Sequence, residues 1–74
     1  MKLTEDIEVN GVKEIVINGS RYYRYYYYES FRRYENERVK YYSNEYLSKR
    51  IRGLLATGKW RIWIHDNTIN VVEK

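Results

Sequence analysis

The chain begins with short runs rich in β-branched residues, and Asn-Gly pairs separate these runs. Asn10-Gly11 and Asn18-Gly19 each lie between such runs, and this dipeptide accepts the positive φ angles that a two-residue β-hairpin requires. Glu35-Asn36 offers turn chemistry further along the chain. The pattern predicts an antiparallel meander of four strands, over residues 4–9, 12–17, 20–31 and 37–43.

The pattern then changes to a helical period. Leu47, Ile51, Leu54 and Leu55 recur at i, i+4, i+7 and i+8, which predicts an apolar stripe on a helix of about 14 residues. Ser43 or Asn44 can cap its start and Gly58 its end. Gly53 lowers helix propensity, so we expect it to mark a close approach of the helix to the sheet.

Residues 60–74 return to strand periodicity. Trp60, Ile62 and Ile64 alternate with Arg61, Trp63 and His65, and Asp66-Asn67 precedes a second run that contains Ile69 and Val71. This predicts a terminal hairpin with its apolar residues on one face. The sequence thus predicts one small α+β domain over residues 1–74: an antiparallel meander, one packed helix and a C-terminal β-hairpin. A winged helix is the alternative, and helices within residues 21–52 also stay open, because no Gly or Pro interrupts that segment.

The facing of the long tyrosine-rich strand decides which side chains enter the core. Side chains alternate across a strand, which gives two sets: Tyr23, Tyr25, Tyr27 and Phe31, and Tyr22, Arg24, Tyr26 and Tyr28. We expect Tyr23, Tyr25 and Tyr27 to join Val12 and Val16 in the core, because only the second set contains a cation. Arg24→Ala should then leave the fold intact, and Tyr25→Ala should unfold it. The register of the fourth strand stays open, since a one-residue slip exchanges its two faces.

Composition narrows the classes of function. A chain of 74 residues can bury one small core, and a single His with no Cys favours neither a metal cluster nor a disulfide framework. The acidic start does not resemble a signal peptide, and no apolar run approaches a membrane span. His65-Asp66 fits a hairpin turn better than acid-base work. We therefore expect an intracellular protein that is not an enzyme, has no catalytic residue, metal or other cofactor, and does not bind a membrane.

Positive charge is concentrated where the tyrosines lie. The net charge is +4, yet residues 21–52 alone carry nine Lys and Arg against four Glu, together with all ten Tyr. Cations attract phosphate and aromatic rings stack on bases, so this mixture favours a nucleic-acid-binding protein. Tyr and Arg are also enriched at protein interfaces, and a meander leaves a sheet edge free. A protein-binding module, as a homodimer or a partner-inhibiting or partner-recruiting protein, is therefore the alternative.

Residues 19–49, GSRYYRYYYYESFRRYENERVKYYSNEYLSK, combine a Tyr-rich strand, a YENE-like turn, a basic return strand and a helix. In this they resemble the N-terminal DNA-binding segment of archaeal viral tyrosine recombinases. The resemblance implies a small sheet that docks in a DNA groove, with Arg24, Tyr26, Arg38 and Lys40 as contacts, and it favours DNA over RNA. No catalytic domain follows, so it implies a stand-alone DNA binder, for example from a mobile element or virus, and no recombinase activity.

The helix and the terminal hairpin extend this predicted surface. Cations beside a capped helix N-terminus favour phosphate, and a cation on a hairpin wing can contact the nucleic-acid backbone. The full set of predicted nucleic-acid contacts is Arg21, Arg24, Tyr26, Tyr28, Arg32, Arg33, Arg38, Lys40, Lys49, Arg50, Arg52 and Arg61.

Overall fold

The structure, a computed structural model, describes residue 9, residues 11–25 and residues 30–74. These residues form a six-stranded sheet and a helix: β1 (Glu14–Ile17), β2 (Ser20–Tyr25), β3 (Ser30–Glu35), β4 (Arg38–Ser43), α1 (Asn44–Ala56), β5 (Trp60–His65) and β6 (Thr68–Glu73). The predicted strand over residues 4–9 and the predicted turn at Asn10-Gly11 fall largely outside the described residues. The same holds for the predicted contacts Tyr26 and Tyr28.

The strands are ordered β4-β3-β2-β1-β6-β5 across the sheet. Every neighbouring pair is antiparallel except β1 and β6, which are parallel. Because α1 connects the two outer strands, β4 and β5, it crosses one face of the sheet and contacts both of them. The predicted small α+β fold with a C-terminal hairpin is confirmed, whereas the parallel pairing makes the sheet mixed.

Turns with positive φ join β1 to β2, β3 to β4 and β5 to β6. The two predicted turns at Asn18-Gly19 and Asp66-Asn67 are confirmed, because each leaves two residues between paired strand ends. The turn between β3 and β4 lies at Asn36-Glu37, one residue later than expected. The φ angles are 48° and 93° at Asn18 and Gly19, 49° and 63° at Asn36 and Glu37, and 50° and 60° at Asp66 and Asn67. These values suit the mirror-image turns of two-residue hairpins.

The predicted continuous strand over residues 20–31 is wrong. Its two ends belong to different strands, β2 and β3, which pair antiparallel with Tyr25 opposite Ser30. Arg24 lies opposite Phe31, so even-numbered residues of β2 share a face with odd-numbered residues of β3. This register determines which tyrosines and arginines of β3 share a face with those of β2.

The apolar core lies between the sheet and α1. The predicted helical stripe is confirmed, since Leu47, Ile51 and Leu55 are buried, and the Ser43 side chain caps the helix by accepting the Tyr46 backbone N–H at 3.0 Å. Gly53 contradicts the expected close approach, because a Cβ there would meet nothing within 4 Å. The buried apolar residues are Val9, Val12, Ile15, Ile17, Tyr22, Phe31, Leu47, Ile51, Leu55, Ile69 and Val71.

The two faces of β2 are the reverse of those predicted. Tyr22 is 2% exposed and Tyr23 is 46% exposed, and Tyr25 and Val16 are half-buried on the side of the sheet away from α1. The expectation that Tyr23, Tyr25 and Val16 enter the core is therefore wrong, whereas Val12 is buried as expected. Tyr27 lies outside the described residues. The cause lies in β1, where Ile15 is fully buried and lies opposite Tyr22. Since opposed residues in an antiparallel pair share a face, the apolar face of β1 determines that of β2.

Candidate nucleic-acid interface

The side of the sheet away from α1 is not covered by any other described element. We call it the open face and define it by its aromatic rings, its cations and the exposed Val39. Strand alternation and the observed register place these residues on it: Arg21, Tyr23, Tyr25, Arg32, Tyr34, Val39, Tyr41, Arg61, Trp63 and His65.

Large aromatic side chains on the open face are unusually exposed. The exposed fractions are 46% for Tyr23, 68% for Tyr34, 56% for Tyr41 and 42% for Trp63. The Tyr41 ring also lies 5.1 Å from the Tyr25 ring, centroid to centroid. Grouped apolar surface of this kind marks an interaction site more often than scattered exposed residues do.

Arg32 lies at the centre of the tyrosine group. It is directly opposite Tyr23 in β2 on one side and Tyr41 in β4 on the other, so the three residues form a row across neighbouring strands. Within the described chain, the Arg32 side chain makes no hydrogen bond or ion pair. Its charge is therefore available to a ligand that contacts the surrounding rings.

Three other cations near this face contact other side chains of the protein. Arg21 donates to Glu14 Oε1 at 2.8 Å, and this carboxylate raises the pKa of the guanidinium. The Arg61 guanidinium carbon lies 5.4 Å from the centroid of the Trp63 ring. Lys13 Nζ lies 3.8 Å from Asp66 Oδ2, and both side chains are well exposed. These contacts leave the cations reachable from solvent at the edges of the tyrosine group.

Two surface depressions meet at the row. One, of about 650 Å³, is lined by residues 11–14 together with Tyr23, Arg24, Arg32 and Asn67. The other, of about 330 Å³, is lined by Tyr23, Arg32, Tyr34 and Val39. Since Tyr23 and Arg32 line both, the depressions form one shallow groove that passes from Lys13 toward the β3–β4 turn.

Arg24, a predicted contact, instead supports the fold. Its Nε donates to the Val12 carbonyl at 3.2 Å, one terminal nitrogen donates to Asn44 Oδ1 at 3.0 Å and the other donates to the Val9 carbonyl. The guanidinium carbon also lies 4.5 Å from the Phe31 ring centroid. These contacts connect β2 to the chain near residue 9 and to the start of α1.

The helix side of the sheet holds a second group of charges around Glu35. Arg33 pairs with this carboxylate, Lys40 Nζ lies 3.6 Å from it, and the Tyr42 hydroxyl donates to it at 2.7 Å. The Tyr42 hydrogen bond, followed by the nearby cations, lowers the pKa of Glu35, and the same hydrogen bond raises the pKa of Tyr42. Arg50 donates to the buried Tyr22 hydroxyl at 3.1 Å.

The predicted contacts therefore divide between two surfaces. Arg21, Arg32 and Arg61 lie on the open face, and Arg24 is internal. The remaining cations lie on the helix side: Arg33, Arg38, Lys40, Lys49, Arg50 and Arg52.

Sequence reasoning missed the aromatic part of this surface, namely Tyr23, Tyr34, Tyr41 and Trp63. A signal for Tyr23 was available, because the Asn18-Gly19 hairpin places Ile15 opposite Tyr22. The β-branched residues Ile15 and Ile17 are stronger core candidates than a tyrosine, so they predict Tyr22 inside and Tyr23 outside.

Comparison with known proteins adds no relative: neither a protein-family model, nor a curated protein, nor a solved structure matches the chain. No helix among the described residues is long and apolar enough to cross a membrane. The same residues contain no group of three or more His, Asp or Glu side chains placed to hold a metal ion.

Proposed function

We propose that this protein binds nucleic acid, with DNA preferred to RNA, through the open face of the sheet. The observation that carries the proposal is the row of Tyr23, Arg32 and Tyr41 across three strands. A cation between exposed rings can contact a phosphate while the rings stack on bases or pack against sugars.

The grouping of a cation with exposed rings, and not the number of free cations, favours the open face over the helix side. On the helix side, Arg38, Lys49 and Arg52 also have no carboxylate partner among the described residues. Arg33 and Lys40 share the Glu35 carboxylate, and Arg50 is bound to the Tyr22 hydroxyl. Lys49 and Arg52 are exposed on α1 and would add long-range attraction for a polyanion. Direct contacts are therefore proposed for the open face.

The resemblance of residues 19–49 to recombinase DNA-binding segments favours DNA over RNA as the ligand. Among the described residues, the proposed contacts shift from Arg24 to Arg32 and the rings beside it. An intracellular location, origin in a mobile element or virus, and the absence of a catalytic role all belong to this proposal.

Titration of fluorescently labelled duplex DNA, single-stranded DNA and RNA at several salt concentrations tests the proposal. If about four cations near the open face contact phosphates, the slope of log affinity against log salt should be about −3 to −4. Arg32→Ala should weaken binding, while the matched control Lys49→Ala, on the outer side of α1, should change it much less. Affinity that does not depend on salt, or equal losses in the two variants, would contradict the proposed surface.

A homodimer or a complex with a protein partner is the second candidate. It is favoured by the outer strands β4 and β5, each of which pairs with only one described strand, since free strand edges can pair with another chain. Sedimentation of the free protein over a wide concentration range tests the homodimer. A strict monomer at high concentration would argue against it.

A further inference from the structure

We infer that the ligand of the open face is a single strand of nucleic acid whose bases stack on the tyrosine rings around Arg32. This inference depends on the proposed function and specifies its ligand. Three features support it: the width of the sheet, the spacing of the rings and the course of the groove.

The width of the sheet disfavours docking of its open face in the major groove of a duplex. The major groove is about 12 Å wide and admits a helix or a two-stranded ribbon. Six strands at a spacing of about 4.8 Å span about 24 Å between the outer strand axes, and the rings of interest lie on β2, β3 and β4. Bases inside a duplex would also remain stacked on one another and out of reach of these rings.

The spacing of the rings suits unstacked bases. Tyr23 and Tyr41 are separated by two strand spacings, about 10 Å, with the Arg32 side chain between them. Tyr34 lies two residues from Arg32 on the same face of β3, about 7 Å along the strand. Three exposed rings thus surround one guanidinium. Sheets that bind single strands stack two or three bases on such rings.

The groove gives the strand a path. It begins beside Lys13 and Asn67, passes over Tyr23 and Arg32, and ends at Tyr34 and Val39. Cations therefore lie at one end and in the middle, where they complement a phosphate backbone that crosses the β-strands. Between them lie the Tyr23 ring, which complements bases of any sequence, and Glu14, whose carboxylate is paired with Arg21.

Four probes of equal length distinguish the sources of affinity. They are a single-stranded 12-mer of thymidine, the same strand in a duplex, an abasic strand with the same sugar-phosphate backbone, and a single-stranded 12-mer of uridine. At equal salt, we expect the thymidine or the uridine single strand, or both, to bind at least about tenfold more tightly than the duplex and the abasic strand.

Variants of Tyr34 separate ring stacking from fold stability, because this residue is 68% exposed. Tyr34→Ala should weaken single-strand binding about fivefold or more, while Tyr34→Phe should retain it, since stacking requires the ring and not the hydroxyl. Tyr46→Ala removes an exposed tyrosine from α1 and serves as the matched control. Urea unfolding and circular dichroism of each variant check that the fold is intact.

The outcomes distinguish the two proposals. Duplex binding as tight as single-strand binding, an abasic strand that binds equally well, or equal losses in Tyr34→Ala and Tyr34→Phe would overturn the stacking inference and leave nucleic-acid binding in place. Failure of all four probes to bind would overturn the proposed function and the inference together.

Discussion

Replacement of Arg24 by alanine is the sharpest test of how β2 faces the core. On the facing expected from sequence, Arg24 is a surface cation and its removal leaves the fold intact. In the structure, its guanidinium donates to the carbonyls of Val9 and Val12 and to Asn44 Oδ1. The alanine variant would remove these three hydrogen bonds.

The expected loss of stability is large for a chain of this size. Hydrogen bonds from charged donors contribute about 1.5–3 kcal/mol when well desolvated; Arg24 is only half-buried, so about 1 kcal/mol for each bond is appropriate. The contact with the Phe31 ring adds about 0.5–1 kcal/mol. The sum is about 3–4 kcal/mol, against a total stability of about 4–11 kcal/mol for a domain of this length.

Urea unfolding followed by tryptophan fluorescence measures this loss. With a slope of about 1 kcal/mol per molar urea, the midpoint should fall by about 3 M. Arg21→Ala is the matched control on the same strand. It removes a single ion pair with Glu14, in which the Arg21 side chain is 60% exposed and the Glu14 side chain 13% exposed, so we expect a loss of stability well below that of Arg24→Ala. Equal midpoints for the two variants, or loss of nucleic-acid binding by Arg24→Ala at unchanged stability, would refute the observed facing.

Three further predictions concern α1 and the charges beside it. Gly53→Ala should raise the free energy of unfolding by about 0.5–1 kcal/mol, measured by urea denaturation, because the position is helical and open to solvent. Ser43→Ala should lower it by about 1 kcal/mol in the same assay through loss of the N-cap. The hydrogen bond from Tyr42 lowers the pKa of Glu35 in the folded state below its ordinary value of 4.5. The free energy of unfolding should therefore decrease as the pH falls from about 4.5 through the pKa of the folded state. Tyr42→Phe should make this acid loss shallower in urea midpoints taken between pH 3 and 6.

The elements that follow from local chemistry were predictable. The Asn18-Gly19 and Asp66-Asn67 turns require residues that tolerate positive φ, and both lie where the sequence places them. The helix also follows from local signals, since its cap and its apolar stripe both lie within residues 43–55. Each of these features depends on neighbours within a few positions along the chain.

The parts of the fold that depend on distant segments were not predictable. β1 pairs in parallel with β6, where Ile15 lies beside Ile69 and Ile17 beside Val71, and many other apolar pairs in the sequence would satisfy the same pattern. The division of residues 20–35 into β2 and β3 was missed because residues 26–29 contain no Gly, Pro, Asn or Asp, the usual signals of a turn.

The candidate site depends on these distant pairings more than on composition. Arginines occur on both sides of the sheet, as Arg32 and Arg33 show on consecutive positions of β3, so counting cations cannot locate a binding surface. The rings are more informative: burial of Ile15 forces Tyr22 inward, and the register with β3 then places Tyr23 beside Arg32. A shift of that register by one residue would place Arg33 beside Tyr23 and turn Arg32 toward α1. The proposed surface is therefore a consequence of one pairing, and the Arg24 and Tyr34 variants test that pairing from its two faces.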